Sequence, residues 1–245
     1  MKILVCITHV PDTTSRIAFT DGNTKFDKSG VQFIIGPYDD YALARAVELK
    51  EQSGGSITVL NVGEAETEPT IRKALAIGAD DAIRVNAFPK DALFVAKQIA
   101  AIAKDAGYDL ILMGRESIDF NGGQVHGMVG ELLGIPSVSP VMTLDVEGGN
   151  AKISREIEGG KEYMELPLPF VAGCQEPIAE WKIPNMRGIM SARTKPLEVR
   201  EPTGDAPKTN VSSFELPPAK QGVKLVDADN MDELVNLLKN EAKVI

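Results

Sequence analysis

A chain of 245 residues with a net charge of −9, 43% hydrophobic and 25% charged, is composed like a globular protein with a real core, and its acidity argues against nucleic acid as the main partner. No apolar run approaches the roughly 20 residues needed to span a bilayer, and MKILVCITHV reads as a first strand without a leader cleavage signal, so a cytoplasmic location is expected. Cys6 and Cys174 form no CxxC pair and His9 and His126 share no ligand spacing, so neither a disulfide framework nor a metal centre is expected.

In chain order, Lys2–Thr8 is a β-rich run headed for the core, followed by a loop at Val10–Asp12 and a hairpin within Thr20–Gly30 that ends at Val31–Ile35. Gly36-Pro37 should open a helix, since proline suits a first turn, and Gly54-Gly55 should end it. Ser56–Val62 reads as a strand, Pro69 to Ile77 as a helix closed by Gly78, and Asp81–Val85 as a short strand. Asp91 caps a helix whose apolar face runs from Ala92 to Ala106, with Gly107 as its stop.

Leu110–Met113 is the next strand, with a loop opening at Gly114 and a helix predicted from near Gly122, capped by Asn121 and stopped by Gly134 and Pro136. This β-α alternation predicts an α/β fold with a doubly wound, mostly parallel sheet. Ligands of such sheets sit beyond the carboxyl ends of the strands, so His9–Asp12, Gly63–Glu66 and Gly114–Gly123 should converge. Glycines at a helix start let a ligand approach the backbone, and free N–H groups with the helix dipole favour an anion such as phosphate. An ordinary strand–loop–helix connection would give the same local sequence.

After Pro136 the pattern changes. Ser137–Val146, Ala151–Glu158, Lys161–Leu166 and Phe170–Gly173 read as strands separated by hairpin signals at Gly148-Gly149-Asn150 and Gly159-Gly160, an antiparallel extension of the core. Gln175 to Met190 reads as loop, Lys195–Pro218 as a proline-rich extended arm, and Asp229–Lys243 as a short amphipathic helix. The expected division is a nucleotide-binding α/β domain over 1–190 and an arm with a terminal helix over 191–245. That arm either grips a partner or packs back on its own core.

The expected mouth holds His9, Asp12, Asp39, Asp40, Arg115, Glu116, Asp119 and His126. It contains no recognisable Ser-His-Asp or Cys-His pattern, no GxGxxG after the first strand, and no GxxxxGK[ST]. His126 falls within the predicted helix, where a packed or exposed role is more usual than a catalytic one. Phosphate binding without a nucleophile or base fits a nucleotide held for structure or as a cofactor.

At this point the residues resemble the β subunit of electron-transfer flavoproteins along nearly the whole chain. The stretch ISREIEGGKEYMELPLPFVAGC (Ile153–Cys174) is similar to that family's signature, with Arg155, Glu158, Gly159, Gly160, Glu162, Pro169 and Cys174 in the signature places. Met164 departs from it, standing where a branched aliphatic residue is usual. TIRKALAIGADDAIRV (Thr70–Val85) and GRESID (Gly114–Asp119) also look like family stretches.

The resemblance implies a heterodimer whose α subunit carries most of the redox FAD site, while the β subunit binds structural AMP and contacts the flavin domain. Electrons would arrive from flavin dehydrogenases, such as the acyl-CoA dehydrogenases of fatty acid oxidation, and leave toward a quinone oxidoreductase. The chain would be an electron carrier with no catalytic residue set. The nucleotide contacts it implies are Cys6, Gly36, Pro37, Tyr38, Asp39, Val62, Gly114, Arg115, Glu116, Ser117, Ile118, Asp119, Phe120, Asn121, Gly122, Gly123, Gln124 and Val125. Gly36 stands where the family has Asn, and Phe120–Gly123 departs from its more acidic or Thr-containing versions.

For partners, the resemblance implies Glu156 as the carboxylate that pairs with an α-subunit arginine. Such an exposed pair is worth about 0–1 kcal/mol, which suits a mobile domain that must be released. IPNMRGIM (Ile183–Met190) resembles the loop that anchors dehydrogenases, with Met186 at the anchor, Ile183 as its competitor and Ile189 beside them. An alternative branch is electron-bifurcating and holds a second FAD in place of AMP; Val10-Pro11-Asp12-Thr13 and Pro37-Tyr38-Asp39 lean toward it. Two other classes are a stand-alone nucleotide-hydrolysing or adenylylating enzyme and a nucleotide sensor.

Overall fold

The structure is a computed structural model in which residues 1–219 and 222–245 are described. The first half runs β1 (Lys2–Cys6), β2 (His9–Pro11), β3 (Phe19–Thr20), β4 (Lys25–Phe26), β5 (Phe33–Ile35), α1 (Pro37–Ser53), β6 (Ser56–Val62), α2 (Glu68–Ile77), β7 (Asp81–Val85), α3 (Ala92–Ala103), β8 (Leu110–Gly114) and α4 (Val125–Leu133). The second half adds β9 (Ser137–Glu147), β10 (Asn150–Ile157), β11 (Gly160–Pro167), β12 (Phe170–Cys174), α5 (Met186–Ala192), β13 (Leu197–Arg200) and α6 (Met231–Asn236).

One sheet of nine strands, in the order β11-β10-β9-β12-β8-β1-β6-β7-β13, forms the frame. Strands β12, β8, β1, β6, β7 and β13 pair in parallel, and β9–β10–β11 is the antiparallel extension. The central strands are apolar at nearly every position because both faces are covered. Ile3, Val5, Leu110 and Leu112 face α1 and α2, whereas Leu4, Cys6, Ile111 and Met113 face α3 and α4. From β1 the chain winds outward through β6 and β7, then crosses back to lay β8 on the other side of β1. The winding therefore reverses between β1 and β8, and the crevice beyond their carboxyl ends is the expected ligand position.

The predicted elements hold, with four corrections. The helix expected from Gly122 begins at Val125, because Asn121 (φ 50°) and Gly123 (φ 58°) adopt left-handed conformations that extend the loop. The strand at Phe170 is not antiparallel: β12 inserts between β8 and β9, parallel to both. The loop expected from Gln175 to Met190 ends in a helix, α5, capped by the Asn185 side chain on Gly188 N–H at 2.8 Å.

The arm is not extended from Lys195. Residues Leu197–Arg200 form β13, which completes the sheet beside β7. Beyond β13 the arm stays on its own core: Lys97 reaches Asp205 at 2.5 Å, Gln98 donates to Thr203 Oγ1 at 2.7 Å, and Phe214 stacks on Phe19 at 4.8 Å. Further on it presents exposed apolar side chains, Val223, Leu225, Met231 and Val235 among them. Residues 220 and 221 of the expected arm lie outside the described residues.

Arg45 joins the extension to the core. It is buried on α1, donates from Nε and Nη2 to Leu144 O at 2.8 and 2.5 Å, and pairs with Asp145 at 2.8 Å and Glu48 at 2.7 Å. Asp40, one helical position after Asp39, is less well served. Its Oδ1 has no hydrogen-bond partner among the described residues, and Lys73 Nζ is 3.8 Å from Oδ2. Burial pushes its pKa up to about 6, against the pull of Lys73.

A carboxyl whose pKa is higher folded than unfolded favours folding below the unfolded value, and that contribution is lost as pH rises through the folded one. Asp40 therefore disfavours the folded state above about pH 6. Asp40→Asn is expected to raise Tm by about 2–4 °C at pH 7.5, an advantage that shrinks to nothing by about pH 4. Thermal melts of both proteins across that range check it.

Candidate functional site

The crevice is organised by the Asp39 carboxylate in the first turn of α1. Its Oδ2 accepts from Thr8 N at 2.8 Å and Thr8 Oγ1 at 2.6 Å, and its Oδ1 accepts from Gly114 N at 2.7 Å. One side chain thus joins the ends of β1 and β8, the two strands that flank the reversal, to the start of α1. Gly36 and Gly114 leave it the room. A Cβ on Gly36 would strike Thr8 Oγ1 and come within 2.6 Å of Asp39 Oδ2, and one on Gly114 would lie 2.7 Å from Oδ1. Burial pushes the Asp39 pKa up to about 6 while the three donors pull it down.

Of the residues singled out in the sequence, Cys6, Gly36, Pro37, Tyr38, Asp39 and Gly114 meet here, with Val62 at the end of the neighbouring strand β6. Cys6 and Val62 are buried and can serve only as floor. Arg115 lies over the Tyr38 ring, 4.9 Å from its centroid, and donates to Glu116 Oε1 at 3.0 Å and Gln175 Oε1 at 2.8 Å. The Asp119 carboxylate turns back on its own loop to accept from Phe120 N at 3.0 Å, and Asn121 N donates to Ser117 O at 2.8 Å.

Beyond these bonds the loop is open. Asn121, Gly122, Gly123 and Gln124 are exposed. The N–H groups of Gly122, Gly123 and Gln124 donate to nothing among the described residues. Left-handed residues alternating with ordinary ones turn successive N–H groups to one side, a concavity suited to an anion, and the free first turn of α4 follows directly. A cavity of about 300 Å³ opens beside it, lined by Arg115, Glu116, Gly123, His126, Ser139 and Pro140. Burial lowers the His126 pKa, favouring its neutral form.

The other segments named in the sequence lie elsewhere. His9 leaves β1 toward α2, where Nδ1 meets Thr70 Oγ1 at 2.8 Å and the ring stacks on Phe33 at 4.4 Å. Glu156 is exposed on β10, and among the described residues it forms no ion pair. Ile183 (75% exposed), Met186 (73%) and Ile189 (40%) form an apolar surface on and before α5.

That short helix is held by reciprocal caps. Arg72 of α2 donates to Ala192 O and Lys195 O at 3.0 and 2.8 Å, while Lys195 donates to Leu75 O of α2 and to Ala79 O just past it at 2.8 and 2.6 Å. Gly188 lets α5 approach so closely that a Cβ there would collide with Ala76 O. Sequence reasoning missed Thr8, Gln175, Arg72 and Lys195. Their partners are far away in the chain, so no local pattern marks them.

A doubly wound, mostly parallel sheet with an antiparallel extension, and a loop of unbonded N–H groups at its reversal, defines the class as an α/β protein with a candidate anion site. Residues 23–204 match the electron transfer flavoprotein domain family. The chain is similar over its full length to proteins named electron transfer flavoprotein subunit beta: 37% identical to that of Bacillus subtilis (all of both chains) and 34% to that of Syntrophomonas wolfei (all of this chain, 98% of the relative). It is 32% identical to that of Bradyrhizobium diazoefficiens, again over all of both chains. The chain belongs to the electron transfer flavoprotein family, as a β subunit. Among the described residues no helix is long and apolar enough to cross a membrane, and no cluster of side chains could hold a metal.

Asp39→Asn sets an amide nitrogen against a backbone N–H of either Thr8 or Gly114, whichever way the amide turns. It is expected to destabilise the fold by about 2–4 kcal/mol, the cost of leaving a buried donor unsatisfied and losing a charge-assisted bond. Urea denaturation at pH 7.5 measures it.

Proposed function

We propose that this chain is the β subunit of a heterodimeric electron carrier and that it binds AMP in the crevice between β1 and β8 as a structural ligand. Its α subunit would hold the FAD, which accepts and passes on electrons when bound. The observation that carries this reading is the set of unbonded N–H groups at Gly122–Gln124, beside a crevice already fixed by Asp39. Those groups fit a phosphate, and the exposed loop leaves space for it. The chain's own work is binding and orientation: backbone N–H groups hold the phosphate, Arg115 borders it, and Cys6 and Val62 floor the pocket.

The docking roles follow from the same frame. Met186 stands out from, and Ile183 just before, a helix that Arg72 and Lys195 hold in place, as a dehydrogenase anchor would. Glu156 would pair with a cation on the α subunit's flavin domain, and the exposed apolar end of the arm, with α6, would lie along that subunit. The quinone oxidoreductase is the proposed outlet. The second reading, a bifurcating subunit with FAD in place of AMP, is favoured by Phe120, which is 63% exposed at the loop tip and offers a face for a second ring system.

Denaturing the purified heterodimer and counting its nucleotides separates the two. One FAD and one AMP are expected per heterodimer; two FAD and no AMP would establish the second reading. Met186→Ala is expected to slow electron acceptance from a flavin dehydrogenase about tenfold, the effect of truncating an interface hot spot, with nucleotide content unchanged. Stopped-flow reduction of Met186→Ala beside Ile183→Ala shows which of the two is the anchor. Loss of the nucleotide on truncating either would overturn the assignment.

A further inference from the structure

We propose that Gln175 is a positioning residue that couples the nucleotide loop to Glu156, so that the state of one site sets the affinity of the other. The proposal rests on the nucleotide and flavin-domain roles argued above. Gln175 follows β12 directly and is buried at 7% exposure. Its side-chain amide spans the gap between the two sites: Oε1 accepts from Arg115 Nη1 at 2.8 Å, and Nε2 donates to Glu156 Oε2 at 2.7 Å. The direction of the amide follows from its neighbours. A guanidinium only donates and a carboxylate only accepts, so only this orientation satisfies both.

The frame around the amide is fixed. Gln175 N donates to Val141 O at 3.0 Å, and Arg115 N donates to the preceding carbonyl, Cys174 O, at 2.9 Å. Arg115 is therefore bound to this strand end by its backbone and by its side chain. It also heads the loop that carries the free N–H groups. Glu156 lies on β10, with no charged partner of its own among the described residues. Without the amide, an exposed glutamate keeps up to about 2 kcal/mol of side-chain entropy. With it, one carboxylate oxygen is pinned while the residue as a whole remains exposed.

Anything that draws Arg115 toward a bound phosphate weakens its hold on Gln175 Oε1, and anything that holds Arg115 in place strengthens it. Either change reaches Glu156 through the amide. Linkage makes the effect reciprocal, so removing Glu156 must change nucleotide affinity although Glu156 does not line the nucleotide loop. A merely structural glutamine gives no such signal.

The test is a double-mutant cycle on the nucleotide-depleted heterodimer, titrated calorimetrically with AMP and, separately, with FAD. Glu156→Ala is expected to change the nucleotide Kd about threefold. In the Gln175→Met background the same change should have no effect. Urea denaturation of the Gln175→Met heterodimer, with a midpoint close to that of the unmodified protein, guards against a variant that simply unfolds. An equal response to Glu156→Ala in both backgrounds, or no response in either, overturns the role of Gln175 alone. If neither nucleotide binds the unmodified heterodimer, the reading of the crevice fails, and this inference with it.

Discussion

The Asp39 carboxylate is the constraint on which the rest of the site depends. A buried acid is costly unless donors surround it, and three do, two from Thr8 and one from Gly114. Its place in the first turn of α1 adds the favourable end of the helix dipole. Because the donors come from the two strands that flank the topological reversal, the carboxylate sets how far apart those strand ends stand. The neighbouring glycines are part of the same device, since any side chain at position 36 or 114 would occupy the space of the acid or its partners. The crevice is thus shaped by the protein before any ligand arrives, which lowers the cost of ordering on binding.

The same economy holds α5. A helix of seven residues is far below the length that is stable alone, so its position is decided by what it touches. Arg72 satisfies carbonyls at and just beyond the end of α5, Lys195 satisfies carbonyls near and just beyond the end of α2, and Gly188 removes the side chain that would keep the backbones apart. The apolar surface carried on this short helix is therefore positioned by α2. Thr70, two positions before Arg72 on α2, meets His9 of β2, so one helix spans from the segment after β1 to the exposed apolar side chains on and before α5.

This division explains what was legible in the sequence. Strands buried on both faces are written as continuous apolar runs, so Ser56–Val62, Asp81–Val85 and Leu110–Met113 could be read almost residue for residue. Gly134 could be read as a stop because a left-handed residue there (φ 66°) is local chemistry. The helix after Asn121 could not, because a cap and a left-handed loop residue call for the same amino acid. Strand β13 was hidden by Pro196 and Pro202, yet both lie outside it; an edge strand pairs on one side only and tolerates proline at its margins. The order of β12 in the sheet and the partners of Asp39, Gln175 and Lys195 are long-range facts with no periodicity to announce them.

The groups near the crevice that could do chemistry are each committed to structure. Asp39 has both oxygens occupied by protein donors. Burial pushes the thiols of Cys6 and Cys174 far up, so both stay protonated and unreactive. Burial also lowers the His126 pKa, favouring its neutral form. Arg115 is bracketed by Tyr38, Glu116 and Gln175. What the crevice offers freely is main-chain N–H, which can hold a phosphate but can neither attack it nor take a proton from water. Such groups supply hydrogen bonds to phosphate oxygens and carry neither a nucleophile nor a base. That property suits a nucleotide kept intact as part of the subunit's frame.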